Sequence, residues 1–245
     1  DTASVYLYDT IALSRKWQVV GGIRVDHYDV DIEGEGVVPG NNNLYASYSD
    51  TETSVGGKIG VVYKPVEEGS LYASYGTGHL PHGSLLSNPD ISRTGNNAFP
   101  GFVPGADPVE LHNYEVGLKW DFFNGKLSTT AAAFHTVKKK VAYGSATNIG
   151  GSTPWTGGIV YGEQVVQGIE LGIAGEVTDR WKVYGGLLWL DSERKHGAGV
   201  DAWARTRNVN DYGGGSAAAN LGISTNGDEL AFTPNFSATL WSTYD

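Results

Sequence analysis

Between Glu110 and Val141 the chain reads as two one-sided ribbons joined by a turn. Apolar residues hold every second position at Tyr114, Val116, Leu118, Trp120 and Phe122, with Glu115, Gly117, Lys119 and Asp121 between them. A period of two puts the apolar side chains on one face of a β-strand and the polar ones on the other. Asn124-Gly125 follows, a pair that tolerates positive φ at both central positions of a tight hairpin turn. A second long strand is expected from Lys126 to about Lys140. Globular strands usually run to about 5–6 residues, whereas a strand crossing a bilayer needs about 9–11.

The same rhythm recurs along the chain. Strands are expected from about Ala3 to Leu13, Trp17 to Val30, Thr51 to Lys64, Ser70 to Thr77, Glu163 to Glu176 and Trp181 to Glu193, with a last one beginning near Leu230 and running to Tyr244. In the second, Ile23, Val25 and His27 share one face and Arg24, Asp26 and Tyr28 the other. In the third, Val55, Ile59, Val61 and Tyr63 oppose Ser54, Gly56, Lys58 and Gly60. Further on, Ile169, Leu171 and Ile173 point outward and Glu170 inward, and Trp181, Val183, Leu187 and Trp189 share a face.

Short turns follow the odd-numbered strands, at Ser14-Arg15-Lys16, Pro65 to Gly69, Asn124-Gly125 and Val177 to Arg180. Long stretches rich in Gly, Asn and Ser follow the even-numbered ones, at Asp31 to Asp50, Gly78 to Pro108, Ala142 to Tyr161 and Arg194 to Asp228, and read as loops. Loops of that length are uncommon in compact soluble domains, but transmembrane barrels alternate short periplasmic turns with long external loops. Aromatics near strand ends (Trp17, Tyr63, Tyr75, Trp120, Phe122, Trp181, Tyr244) suit the girdles where such barrels meet the headgroups. The fold class read from the pattern is all-β, an antiparallel transmembrane β-barrel of which about nine long strands are present. The rival is a soluble β-sandwich with core aromatics, whose strands would normally be shorter.

Composition narrows the function. The 245 residues carry a net charge of −10, which argues against a nucleic acid partner. There is no cysteine, hence no disulfide framework, thiolate metal site or cysteine nucleophile. Gly at 35 residues and aromatics at 11% fit closely paired strands better than helices. No run of about 18 apolar residues offers a transmembrane helix. The opening residues show no basic and apolar leader, and the expectation is a mature, trimmed or partial chain.

Catalytic chemistry is weakly signalled. Asp26, His27, Asp29 and Asp31 cluster where the second strand ends, and His27, Asp29 and Asp31 share a face. That arrangement suits a metal ion or, more simply, a polar strand end meeting solvent. His79 and His82 lie in a loop-like HLPH stretch. Lys138, Lys139 and Lys140 close a strand, at a solvated end or along an anionic path. No nucleophile elbow is present, and the Gly76-Thr77-Gly78 and Gly213-Gly214-Gly215 stretches precede no helix that would make them phosphate cradles. No catalytic and no metal-binding residue is assigned.

Several stretches resemble one family in the same order and spacing: Tyr6 to Leu13, Gly22-Ile23-Arg24, SLYASY at 70–75, NYEVGLKWD at 113–121 with the FNGKLS turn, GEQVVQGIELGIAG at 162–175, WKVYGGLLWLDSE at 181–193 and TPNFSATLWSTYD at 233–245. They are similar to the barrel of TonB-dependent siderophore receptors, most of all to the catecholate and hydroxamate branch. The resemblance implies an outer-membrane barrel of about 22 strands, filled by an N-terminal plug and driven through a TonB box. Residues 1–245 are then expected to be a partial barrel domain, without plug or TonB box.

What the resemblance implies about function is transport of a ferric siderophore across the bacterial outer membrane, energised by TonB, with no bond made or broken and no intrinsic cofactor. Expected partners are the ferric siderophore, TonB through a plug region, and outer-membrane lipid and lipopolysaccharide. An anionic aromatic chelate would be held by cations and ring faces near the mouth. The candidates are Arg93, Phe99 and Phe102 in one loop, Trp155 and Tyr161 in the next, and Trp203, Arg205 and Arg207 in the last. The alternatives are a small passive porin-like channel, a surface-displayed β-structured adhesin or binding protein, and an outer-membrane protease or lipase. An even strand count without a plug would favour the channel, solubility without detergent the adhesin, and convergent His and carboxylates at one rim the enzyme.

Overall fold

Nine strands follow one another along the chain: β1 (Thr2–Ala12), β2 (Trp17–Val38), β3 (Asn41–Val66), β4 (Gly69–Leu80), β5 (Val109–Phe122), β6 (Leu127–Tyr143), β7 (Val160–Thr178), β8 (Trp181–His196) and β9 (Phe236–Tyr244). This computed structural model describes residues 1–38, 41–80, 107–143, 160–198, 226–230 and 233–245. Each strand pairs antiparallel with the next, giving one sheet in the order β1 to β9. Each interior strand thus has both of its edges in a ladder, as the bilayer interior demands of any backbone that enters it.

The register sorts the side chains into two unlike faces. Val5 lies opposite Val25, and Val25 opposite Val55. Leu118 lies between Leu71 and Ala131, Ala131 opposite Leu171, Leu171 opposite Leu187, and Leu187 opposite Ala238. The intervening positions carry Arg24, Asp26, Lys58, Glu115, Lys119, Asp121 and Glu170 on the other face. Among the described residues nothing packs on the apolar face: Val5, Leu7, Ile23, Ile59, Val116, Ile169, Leu187 and Leu240 are exposed. Among the described residues the buried apolar ones are Tyr28, Leu127, Val137, Val165 and Val183, scattered over four strands. The soluble sandwich is overturned: among the described residues no second sheet covers the apolar face, which is built for lipid.

Aromatics bracket that face. At the end bearing the short turns, Trp17 stacks on Tyr63 with ring centroids 4.4 Å apart, and Trp181 pairs with Tyr244. Towards the other end, the Tyr75 and Tyr114 rings meet at a tilt with centroids 4.8 Å apart, and Trp189 pairs with Phe236. From Trp181 to Trp189 is a step of eight residues, roughly 26 Å along a strand, or about 20 Å across a bilayer at a tilt near 40°. That is close to the apolar band of about 25 Å in outer-membrane barrels.

The short turns follow the sequence closely. Asn124 and Gly125 have φ of 56° and 82°, and Lys126 N donates to Phe123 O at 3.3 Å, as a turn with two left-handed central residues requires. Ser14 Oγ accepts from the backbone N of Lys16 and of Trp17, both at 3.2 Å. Thr178 Oγ1 accepts from Trp181 N at 3.1 Å. Lys126 Nζ bonds Asp179 Oδ1 at 2.6 Å, joining the β5–β6 turn to the β7–β8 turn.

The loop expected at Asp31 to Asp50 is instead a continuation of β2 and β3, which pair without a break from Asp31↔Ser49 to Gly36↔Leu44 and close at Val38↔Asn41. The ladder rises beyond the end of β1, into water, where no apolar face is required and the alternation that marks a bilayer strand is not needed. Other boundaries shift less. β4 runs to Leu80 rather than Thr77, and β8 to His196 rather than Glu193. The last strand starts at Phe236, not near Leu230, because Pro234 has no N–H for the ladder.

Two consequences can be measured on the purified protein in detergent. Gly175 has φ of 133°, and a Cβ there would sit 2.1 Å from the Lys126 carbonyl oxygen. Gly175→Ala is expected to cost about 1–3 kcal/mol, read as a lower urea midpoint by tryptophan fluorescence. The Lys126 ammonium holds the Asp179 carboxyl below its usual 3.8, and Asp179 in turn holds Lys126 above 10.5. A depressed carboxyl contributes stability above its unfolded pKa and loses it as pH falls through the folded one. The pair's contribution is therefore flat through neutral pH and fades below about 3.8 and above about 10.5. Asp179→Asn should flatten the acid-side dependence and lower the pH 7 midpoint by that same small amount, the pair being exposed.

Candidate functional site

The polar face forms the wall of a lumen, and its charges fall into two groups. On β1–β4, Arg24 Nε bonds Asp26 Oδ1 and Oδ2 at 2.8 and 2.9 Å, and Arg24 Nη2 bonds Ser4 Oγ at 3.0 Å. Ser4 in turn donates to Asp26 at 2.5 Å. Lys58 stands on the same face, opposite Gly22. Arg24, Asp26 and Lys58 border a hollow of about 660 Å³ that also meets Tyr6, Tyr8 and Tyr28.

The second group lies on β4–β7. Tyr72 OH donates to Glu115 Oε1 at 2.6 Å. The ring lies over Gly117, where a Cβ would come within 2.6 Å of Tyr72 Cζ; only glycine opposite Tyr72 lets the phenol lie flat and reach the carboxylate. Glu170 shares the face one strand beyond β6, opposite Ala132, which itself faces Gly117. No cation is paired with Glu115 or Glu170 among the described residues. Sequence alternation places both acids on this face, but the Tyr72 contact needed the pairing register.

A third cluster ties the roots of two long loops together. Lys140 has φ of 54° at the β6 irregularity. Its ammonium meets Glu110 Oε1 at 2.8 Å and Asp107 Oδ2 at 3.3 Å. Tyr161 OH accepts from Asp107 N at 2.9 Å. Tyr75 OH and His112 Nδ1 are 2.8 Å apart, and His112 Nε2 lies 3.5 Å from Glu110 Oε2, an ion-pair distance beyond a good hydrogen bond. Lys140 is thus a clamp between strands rather than a free strand end.

Of the expected ligand residues, Tyr161 is placed in this clamp, beside β5. Arg93, Phe99, Phe102, Trp155, Trp203, Arg205 and Arg207 lie outside the described residues, as does His82. His79 is in β4, opposite Glu110. The polar cluster at the end of the second expected strand is dispersed: Asp26 is taken by Ser4 and Arg24, His27 Nδ1 is 2.9 Å from Thr53 Oγ1, and Asp29 accepts from Thr51 Oγ1 at 3.2 Å. No set of three His or acidic residues is arranged to hold a metal ion among the described residues.

Residues 1–245 match the family described as TonB dependent receptor-like, beta-barrel. The chain belongs to this family. A probable TonB-dependent siderophore receptor, PiuA, of Acinetobacter baumannii is 32% identical over 252 residues, covering 100% of this chain and 29% of that protein. The catecholate siderophore receptor Fiu of Escherichia coli K12 is 26% identical over 260 residues, 100% of this chain and 30% of that protein. The chain therefore spans under a third of the length of these relatives. The crystal structure of PiuA superposes with a TM-score of 0.69 at 29% identity, covering 99% of this chain and 31% of that one. The closed form of Fiu gives 0.73 at 23% identity, with 99% and 32% covered, a likeness of fold. The sheet is thus outer-membrane TonB-dependent receptor barrel in fold and family.

The Tyr72–Glu115 contact carries a direct test. Gly117→Ala should push the Tyr72 ring aside while β4–β5 pairing survives, and Tyr72→Phe should remove only the hydroxyl. Infrared difference spectra of the two full-length variants are expected to show the same loss of the hydrogen-bonded phenol band, with heat-modifiable mobility on gels unchanged.

Proposed function

We propose that residues 1–245 are part of the barrel domain of a longer receptor that carries a ferric siderophore across the outer membrane, energised through TonB acting on a plug. The observation that carries this is the conjunction of a lipid-facing outer surface with a charged inner wall, in a chain related over its whole length to proteins named siderophore receptors. An open sheet leaves β1 and β9 each with a free edge among the described residues, and a bilayer does not accept free edges. Further strands completing a barrel answer that need.

In this reading the protein binds and moves its cargo and performs no bond chemistry. The wall carboxylates Glu115, half-buried, and Glu170, exposed, hold a cationic group of whatever fills the lumen. Arg93, Phe99, Phe102, Trp155, Tyr161, Trp203, Arg205 and Arg207 serve as external ligand contacts. Lipid and lipopolysaccharide cover the apolar face and its outer rim. The passive channel is the second reading, and it differs in one observable, the need for energy.

The full-length receptor, expressed in a strain lacking its other iron receptors, is expected to take up radiolabelled iron with a catecholate or hydroxamate siderophore only while TonB is intact. Glu115→Ala with Glu170→Ala should lower that uptake at least tenfold while gel mobility still reports a folded barrel. Uptake that persists without TonB would make the protein a diffusion channel.

A further inference from the structure

Two cations stand side by side on the lumen face of β1–β4, and only one of them is neutralised. By register the face forms a small grid. Tyr8, Gly22, Lys58 and Gly76 lie in one row, and Tyr6, Arg24 and Gly56 in the next. Lys58 is two residues from Gly56, which makes it the diagonal neighbour of Arg24, at about 7–8 Å.

The two cations differ in what they have left to give. Arg24 is fixed by Asp26 and Ser4 through Nε and Nη2, yet its side chain is 55% exposed. The Nη1 edge remains for a ligand, and the Asp26 fork orients it. Lys58 is exposed, and no acceptor takes its ammonium among the described residues. Glu52, higher on the same face of β3, is turned to the Tyr28 hydroxyl at 3.0 Å. Arg24 and Lys58 against Asp26 leave one positive charge over.

Around the cations the wall is bare. A Cβ on Gly22 would meet the Tyr8 ring at 2.8 Å, and one on Gly56 the Thr77 carbonyl oxygen at 3.0 Å. Glycine at 22, 56 and 76 keeps the wall around the cations low, with the Tyr8 ring lying over Gly22. Tyr6 and Tyr8 border the same hollow, 72% and 58% exposed, and offer ring faces and hydroxyls. The hollow of about 660 Å³ lies within the range of about 300–1,000 Å³ common for small-molecule sites.

We propose that this grid is an anion-binding station in the lumen wall, where Lys58 and the open edge of Arg24 take carboxylate or phenolate oxygens of the transported iron chelate and Tyr6 and Tyr8 flank it. The proposal rests on the receptor function above. An iron(III) chelate built from catecholates carries several negative charges on its outer oxygens and flat rings beside them, matching two cations and two phenols. A neutral hydroxamate chelate has no such charge. Charge-assisted bonds are the strong ones.

The probes are ferric tris(2,3-dihydroxybenzoate), an anion, and ferric tris(acetohydroxamate), which is neutral. Their binding to the purified full-length receptor is followed by tryptophan quenching at low salt. The wild type should bind the anionic complex about tenfold more tightly than the neutral one, the advantage of one charge-assisted bond. Lys58→Gln should lose most of that margin, and Lys58→Arg should keep it. Because Lys58 has no partner to orphan, neither substitution should disturb the fold, which gel mobility checks. A wild type without preference for the anion, or a Lys58→Gln variant that binds as the wild type does, overturns the station. Unchanged chelate affinity together with new trypsin sensitivity in Lys58→Gln would assign the cations to a carboxylate of the receptor's own lumen segment, and also overturns it. Wild-type uptake of iron in cells separates the two levels. TonB-dependent uptake with an unaffected Lys58→Gln sinks the station alone, whereas no TonB-dependent uptake of any iron chelate sinks the receptor function with it.

Discussion

The structure depends on pairing every backbone N–H and C=O that enters the bilayer. Hydrocarbon supplies no partner, so an unpaired group costs several kcal/mol there. A sheet in which each strand bonds the next in chain order meets that demand with the shortest connections available. The alternation of side chains follows directly, since a paired strand in such a wall has one face to lipid and one to the lumen. Leu118 and Lys119 are adjacent in sequence and face different solvents for that reason. The short turns are similarly constrained, because Asn124-Gly125 must reverse the chain in two residues without splaying the ladder.

What the bilayer dictates was legible in the sequence. The stretch from Tyr114 to Phe122, the Asn124-Gly125 turn and the Trp181–Trp189 face were read correctly because each obeys a local rule with a known period. Asp31 to Asp50 was misread for the complementary reason. Its ladder is held by pairing across β2 and β3, and nothing in either strand alone announces a partner. The final strand begins at Phe236 rather than near Leu230, because Pro234 cannot donate to the ladder.

The chemistry was less legible than the fold. Glu115 and Lys58 were assigned to the inner face by alternation alone, but their meaning comes from neighbours on other strands: Tyr72 over Gly117 for the first, Arg24 and a glycine surround for the second. Lys140 looked like the end of a basic run, yet it is held between Glu110 and Asp107. Cross-strand contacts of this kind have no signature along one strand. They appear only once the register is fixed.

The two-sided wall also decides which lengths of chain can change. One residue inserted into β5 would exchange lipid-facing and lumen-facing positions for every residue past it, placing Lys119 in hydrocarbon and Leu118 in the lumen. Two residues would restore the parity but lift the aromatic girdle by about 7 Å along the strand. The stretches beyond the external rim answer to neither requirement. Lengths should therefore be frozen across the wall and free above it, so that ligand preference can drift between relatives while the scaffold that displays it cannot.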